Sequence, residues 1–229
     1  MDDGRRRPER GGRLTASERA KVEGRFGAVL VLLFVAVFFS VSAPDGPWAV
    51  LLTTALLAAV LAIAMRASGA RARAVRMWWA VAALGVGASV LIAFTQDARV
   101  AGGYLALTSL LLTLGAIGAI VRRLRLQTEI SLLTVMGAVC IYVLIGLSLA
   151  FVSEAVGELG SRPFFASQEG GTRSDYVYFS FVTMATVGYG DLAPQGGIAR
   201  ALSVTGGLVG QIYLVTAVAA LVGNLGRRR

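Results

Sequence analysis

Residues 176–191 read Y-V-Y-F-S-F-V-T-M-A-T-V-G-Y-G-D and close on Thr186, Val187, Gly188, Tyr189, Gly190 and Asp191. The first ten residues, 176–185, are apolar and helix-compatible. A helix rises about 1.5 Å per residue, so about 20 residues are needed to cross roughly 30 Å of hydrocarbon. This segment is too short to span. Long apolar runs flank it at 130–152 and 198–225. A short helix between two long ones reads as re-entrant, tolerated at membrane depth only where protein or a water-filled cavity surrounds its end.

Four further runs lie upstream, at 26–41, 48–65, 75–94 and 104–121, the first two separated by the turn signal Pro44-Asp45-Gly46-Pro47. The expected architecture is an all-α membrane protein of six transmembrane helices, with a re-entrant helix and loop between helices five and six. Hydrophobic residues make up 56% of the chain, more than a soluble domain carries. The net charge of +9 invites a nucleic-acid partner, but no supporting motif is present and the arginines punctuate the gaps between apolar runs.

Of 22 basic residues, 18 fall on one side of an alternating six-helix chain: eight in 1–25, Arg66, Arg71, Arg73 and Arg76, then Arg122, Arg123 and Arg125, then the three at 227–229. Arg99, Arg162, Arg173 and Arg200 fall on the other. The positive-inside rule places both termini in the cytoplasm of a multi-pass cell-membrane protein. Trp48 and the Trp78-Trp79 pair sit near run ends, where interfacial rings are expected. No short apolar stretch with a small-residue cleavage site follows the basic N-terminus, as a secretory signal would require. Cys140 is the single cysteine and histidine is absent, so a disulfide within the chain, a thiol metal cluster and the commonest general base are all excluded.

The closing hexapeptide has its own logic. A dehydrated cation needs a ring of oxygens in place of its water, and backbone carbonyls supply them without fixed charge. Pointing successive carbonyls at one axis requires backbone angles of alternating hand, which Gly188 and Gly190 tolerate at little cost. Thr186 adds a hydroxyl, while Val187 and Tyr189 are expected to point away from the axis and wedge the loop against the helix behind. The negative end of that helix favours a cation below it.

From 130 to 225 the chain resembles the pore module of prokaryotic potassium channels: outer helix, pore helix, selectivity filter and inner helix. The resemblance is carried by Tyr178, Ser180, Thr183, the filter itself, Asp191, Pro194 and Arg200. It implies a six-transmembrane, non-voltage-sensing channel subunit with potassium as permeant ligand at Thr186, Val187, Gly188 and Tyr189, no other cofactor, and a homotetrameric pore. It also puts Gly210 where many relatives bend the inner helix. The chain departs from the pattern at Ala185, usually a second threonine; at Val182, in some relatives a glutamate; and at Tyr178, often a tryptophan. The expectation is that the Tyr178 hydroxyl bonds Asp191 instead, making Tyr178, Asp191 and Thr183 the filter's support.

The domains follow: a basic segment 1–25, a four-helix domain 26–125 and a pore domain 126–229. The basic segment is expected to be disordered and to rest on anionic lipid headgroups, each basic residue adding about 1 kcal/mol near such a surface. The run 104–121 holds no charged residue, so a voltage sensor, which moves arginines through the field, is not expected. Few residues follow the last run, and no ligand-binding domain is expected after it. Gly206, Gly207, Gly115 and Gly118 read as packing positions. Gly210 admits both packing and a gating hinge. Gln211 reads as an interhelical hydrogen bond or a cavity-lining group, the first favoured, and Cys140 as a small apolar filler. Glu154, Glu158, Glu169 and Asp175 are assigned to the outer loop, where they draw cations or are simply solvated. Among other functions, a four-loop uptake system fails on counting and an enzyme lacks catalytic groups. A non-conducting regulatory or structural subunit is the alternative.

Overall fold

The computed structural model describes residues 16–42, 47–67, 72–95, 98–126, 132–166 and 171–226. Their apolar runs fold as helices α1 (Ala16–Ser42), α2 (Pro47–Ala67), α3 (Ala72–Thr95), α4 (Ala98–Arg125), α5 (Leu132–Leu159), α6 (Arg173–Met184) and α7 (Gly196–Gly226). Among the described residues three stretches are long and apolar enough to cross a membrane: Arg99–Arg125, Leu133–Leu159 and Gly196–Gly223. The apolar parts Phe26–Ser42, Leu51–Arg66 and Val75–Ala88 are shorter. Expectations resting on the basic side chains of 5–25, the turn at 43–46, Arg71, Glu169 and the arginines at 227–229 fall outside the described residues.

α2, α3 and α4 pack together, α1 lies against α2, and both α1 and α4 lean on α5. α5 in turn carries α6 and α7. One apolar core therefore runs from Phe26, Leu33 and Leu57 through Leu112 and Ile120 to Leu144, Phe151 and Tyr176. Hydroxyls cross it in steps. Ser40 donates to Thr53 at 3.4 Å, Thr54 and Ser109 meet at 3.3 Å, and Ser148 donates to Thr113 at 3.3 Å. Thr53, Ser109, Thr113 and Ser148 also bond carbonyls one turn back in their own helices, the single Ser148 proton being shared between Thr113 and Leu144. Such interhelical bonds stabilise membrane bundles by about 0.6 kcal/mol each.

Helix packing accounts for two of the four glycines assigned to it. A Cβ on Gly115 would come 2.9 Å from the Trp78 ring and one on Gly206 would meet Leu149, so both are close-approach positions. Gly118 faces open space and Gly207 has only ordinary contact, so packing does not explain them. Trp78 is partly buried against the core, unlike Trp48 and Trp79, and only those two keep the exposure expected of interfacial rings. Cys140 is fully buried, as an apolar filler should be.

The largest departure from the sequence reading lies at the end of α5. The helix continues beyond 152 to Leu159 and takes Glu154 with it, so Glu154 is buried and not part of a solvated loop. Its two oxygens accept from Arg173 Nε at 3.0 and 3.1 Å, and both side chains are under 10% exposed. Glu158 is paired too, 3.8 Å from Arg99 at the start of α4. Removing one member of a buried pair leaves the other charge uncompensated, at a cost of about 3–5 kcal/mol. Glu154→Ala is therefore expected to lower unfolding stability by that order. A thermal melt of the detergent-solubilised protein within 1 kcal/mol of wild type would contradict this.

Candidate functional site

α6 begins at a capping box. Thr172 Oγ1 accepts from the Asp175 amide, and Asp175 Oδ2 accepts from the Thr172 amide at 2.9 Å. This box moves the helix start to Arg173, three residues before the apolar run, giving a helix of 12 residues, roughly 18 Å long. Its flank is fixed to α5 by Ser180, whose hydroxyl donates to the Gly146 carbonyl at 2.5 Å. Above it Phe164 packs edge-on against Tyr176 and Phe179, and Phe165 edge-on against Phe179 and tilted by 32° against Tyr176, with centroids 5.0–5.9 Å apart. The segment after the loop returns to this cluster: Ala166 donates to the Ala193 carbonyl and Gln195 to that of Phe164, with Pro194 bridged to Phe165. The aromatic pair at 164–165 went unread in the sequence because a polar, glycine-containing stretch surrounds it.

The C-terminal turn of α6 determines how the next residues lie. Ala185 donates to Phe181 at 2.9 Å, Thr186 to Thr183 at 3.1 Å, and Val187 and Gly188 to Val182 at 3.0 and 3.4 Å. A trans peptide points its C=O opposite to its N–H. With the amides of Thr186, Val187 and Gly188 aimed back into α6, the carbonyls of Ala185, Thr186 and Val187 are aimed away from it. Residues 185–191 are all exposed in the single chain.

The backbone hand alternates as expected. Gly188 has φ 57° and Gly190 φ 82°, and the same left-handed region is taken by Thr186 at φ 58°. The glycines were legible; the threonine was not. A residue with a Cβ gives up about 1–2 kcal/mol there, which the hydrogen bond to Thr183 helps to hold.

The supporting residues divide. The Tyr178 and Tyr189 rings stack, 6.3 Å apart and 5° from parallel. The Tyr178 hydroxyl is pushed above the usual tyrosine value, first by loss of water around it, then by the neighbouring Asp191 carboxylate. Its proton is therefore retained at neutral pH. Thr183 contributes its carbonyl. Val187, expected to wedge against the helix behind, is instead 51% exposed; in the single chain only the tyrosine ring finds a partner.

Gly210 is buried, and a Cβ there would run into Met184, the last residue of α6. Beside it, Gln211 Nε2 donates to the Met184 carbonyl at 2.9 Å. Of the two readings for Gln211, the interhelical bond is the one present, and it ties α7 to the base of the loop.

Residues 139–227 match a family model described as an ion channel. The match spans most of α5, all of α6, the loop and α7, less than half of the chain. No curated protein matches. Residues 139–227 are thus similar to an ion-channel domain, in an all-helical chain with three helices long and apolar enough to cross a membrane.

Two outcomes test the site. Gly210→Ala is expected to cost about 1–3 kcal/mol by overpacking against Met184, with the loss relieved in a Gly210→Ala, Met184→Ala double variant. A purely hinge-like Gly210 would leave the melt of the single variant unmoved. Tyr178→Phe keeps the ring stack but removes the hydroxyl, and flux through the variant is expected to decay faster than through wild type. An unchanged time course would show that the Asp191 bond does not support the loop.

Proposed function

We propose that this chain is one subunit of a potassium-selective channel that conducts passively through a homotetrameric pore. The observation that carries the reading is the alternating left-handed backbone at Thr186, Gly188 and Gly190, with the intervening amides turned into α6 and carbonyls turned out. This is the chain path a carbonyl-lined cation site requires. Potassium sits at Thr186, Val187, Gly188 and Tyr189, replacing its water with their oxygens.

One chain supplies one oxygen at each level of such a site, too few to replace a hydration shell, so several loops must face a common axis. The uncovered state of the inner helix favours this: 11% of its span is buried, against 56% of α5's. Val204, Leu208, Ile212 and Val215 lie bare along it at helical spacing. Four copies give the ring.

In this reading α1 to α4 are spans as well, which gives six crossings with α6 re-entrant, and both termini lie in the cytoplasm with the N-terminal arginines on anionic lipid. The separation of Arg99 from Arg122, Arg123 and Arg125 at opposite ends of α4 supports that orientation. Voltage does not drive the pore through α4, because its apolar stretch carries no charge between those ends.

The test is flux into liposomes holding the purified protein, with sodium as competitor and barium as blocker. Potassium flux that barium stops and sodium does not replace is expected. A barium-insensitive leak, or equal sodium flux, would overturn the selectivity. Silence in every lipid would favour a non-conducting subunit.

A further inference from the structure

The buried polar group at the outer end of α6 has no part in the filter described above. Arg173 stands at the first position of that helix, where a cation opposes the positive end of the helix dipole. Helix stability is therefore no reason for an arginine here. The side chain turns away from the helix into the protein. Nε is held by both oxygens of Glu154 from α5, and Nη1 reaches Thr54 Oγ1 of α2 at 3.4 Å and Ser109 Oγ of α4 at 3.5 Å. The guanidinium carbon lies 5.1 Å from the centre of the Phe151 ring. Both hydroxyl acceptors belong to the four-helix domain and are themselves buried and mutually bonded at 3.3 Å. One residue further on, Ser174 Oγ donates to the carbonyl of Val41 in α1 at 2.9 Å.

We propose that Arg173 is a positioning residue for the filter, through which the four-helix domain holds the pore helix and so controls the conducting loop. The path is short and continuous. Thr54 and Ser109 set the guanidinium, the guanidinium sets the start of α6, and α6 is a rigid rod of 12 residues. Its far end holds the amides of Thr186 and Val187 through the carbonyls of Thr183 and Val182. A shift of α2 or α4 against α5 thus moves the filter directly from its outer side, without any movement at the inner helix. A guanidinium suits this role because its donors lie in a fixed planar fork, so displacing one partner reorients the group relative to the others.

The selectivity part of the proposal rests on the potassium-channel reading; the mechanical part does not. The test uses the full chain in lipid and the variants Thr54→Val and Ser109→Ala, singly and together, which leave the Glu154–Arg173 pair in place. Amide hydrogen exchange over 174–188 is expected to be about tenfold faster in the double variant, as loss of hydrogen bonds to a charged group implies. The exchange of α5 and the oligomeric state should not change. The potassium-to-sodium flux ratio should fall with it, and Ser109→Thr, which returns the hydroxyl, should restore both. Unchanged exchange at 174–188 would overturn the proposal. So would faster exchange spread over the whole chain. Should wild type prove silent to potassium, the channel reading fails and the exchange experiment still decides whether the four-helix domain holds α6. If the double variant does not fold, the Thr54→Val single variant carries the same comparison.

Discussion

The last turn of any α-helix presents carbonyls with no partner inside the helix, and the way α6 satisfies its own is the constraint from which the site follows. Phe181, Val182 and Thr183 receive amides from the residues immediately after the helix, and Met184 receives the Gln211 side chain from α7. Because the following residues spend their N–H groups on the helix end, their carbonyls face the other way. An extended loop with its oxygens turned outward is the result. Glycine at 188 and 190 makes the alternation inexpensive, and Thr186 accepts strain where a hydroxyl is also available.

That arrangement is only as firm as the helix beneath it, and α6 is too short to be stable on its own. It is held at intervals along its length: the capping box and Arg173 at its start, Tyr176 and Phe179 in the aromatic cluster, Ser180 on the Gly146 carbonyl, Met184 against Gly210. A rod clamped at both ends transmits displacement. The base of α6 answers to α7 through Gln211, and its outer end answers to α2, α4 and α5 through one guanidinium. The same chain therefore ties one loop to two parts of the fold, α7 at the base of α6 and the four-helix domain at its outer end.

The single chain also leaves much apolar surface uncovered. Val187, Tyr189 and much of α7 lie bare, and apolar surface on that scale marks an interaction face. The exposed loop at 185–191 and the bare face of α7 adjoin one another in sequence.

The all-helical class, the short helix at 173–184 that cannot span and the loop at 186–190 were legible in the sequence alone. Run length against bilayer thickness and the positions of glycine are local properties, and local properties need no partner. The capping of α6 was likewise within reach, since Thr172 and Asp175 stand at capping-box spacing. What only the tertiary structure decided are the pairings across long separations. Glu154 and Arg173 read as loop charges because composition around them is polar, yet 19 residues apart they meet in the core. Thr54 and Ser109 read as unremarked hydroxyls in apolar runs until the fold set them beside the same guanidinium. Gly210 and Gln211 left two readings each open, and contact with Met184 selected between them for Gln211. The reason is the same in each case: a buried polar group is defined by its partner, and the partner is chosen by how helices pack, not by what stands next to it in the chain.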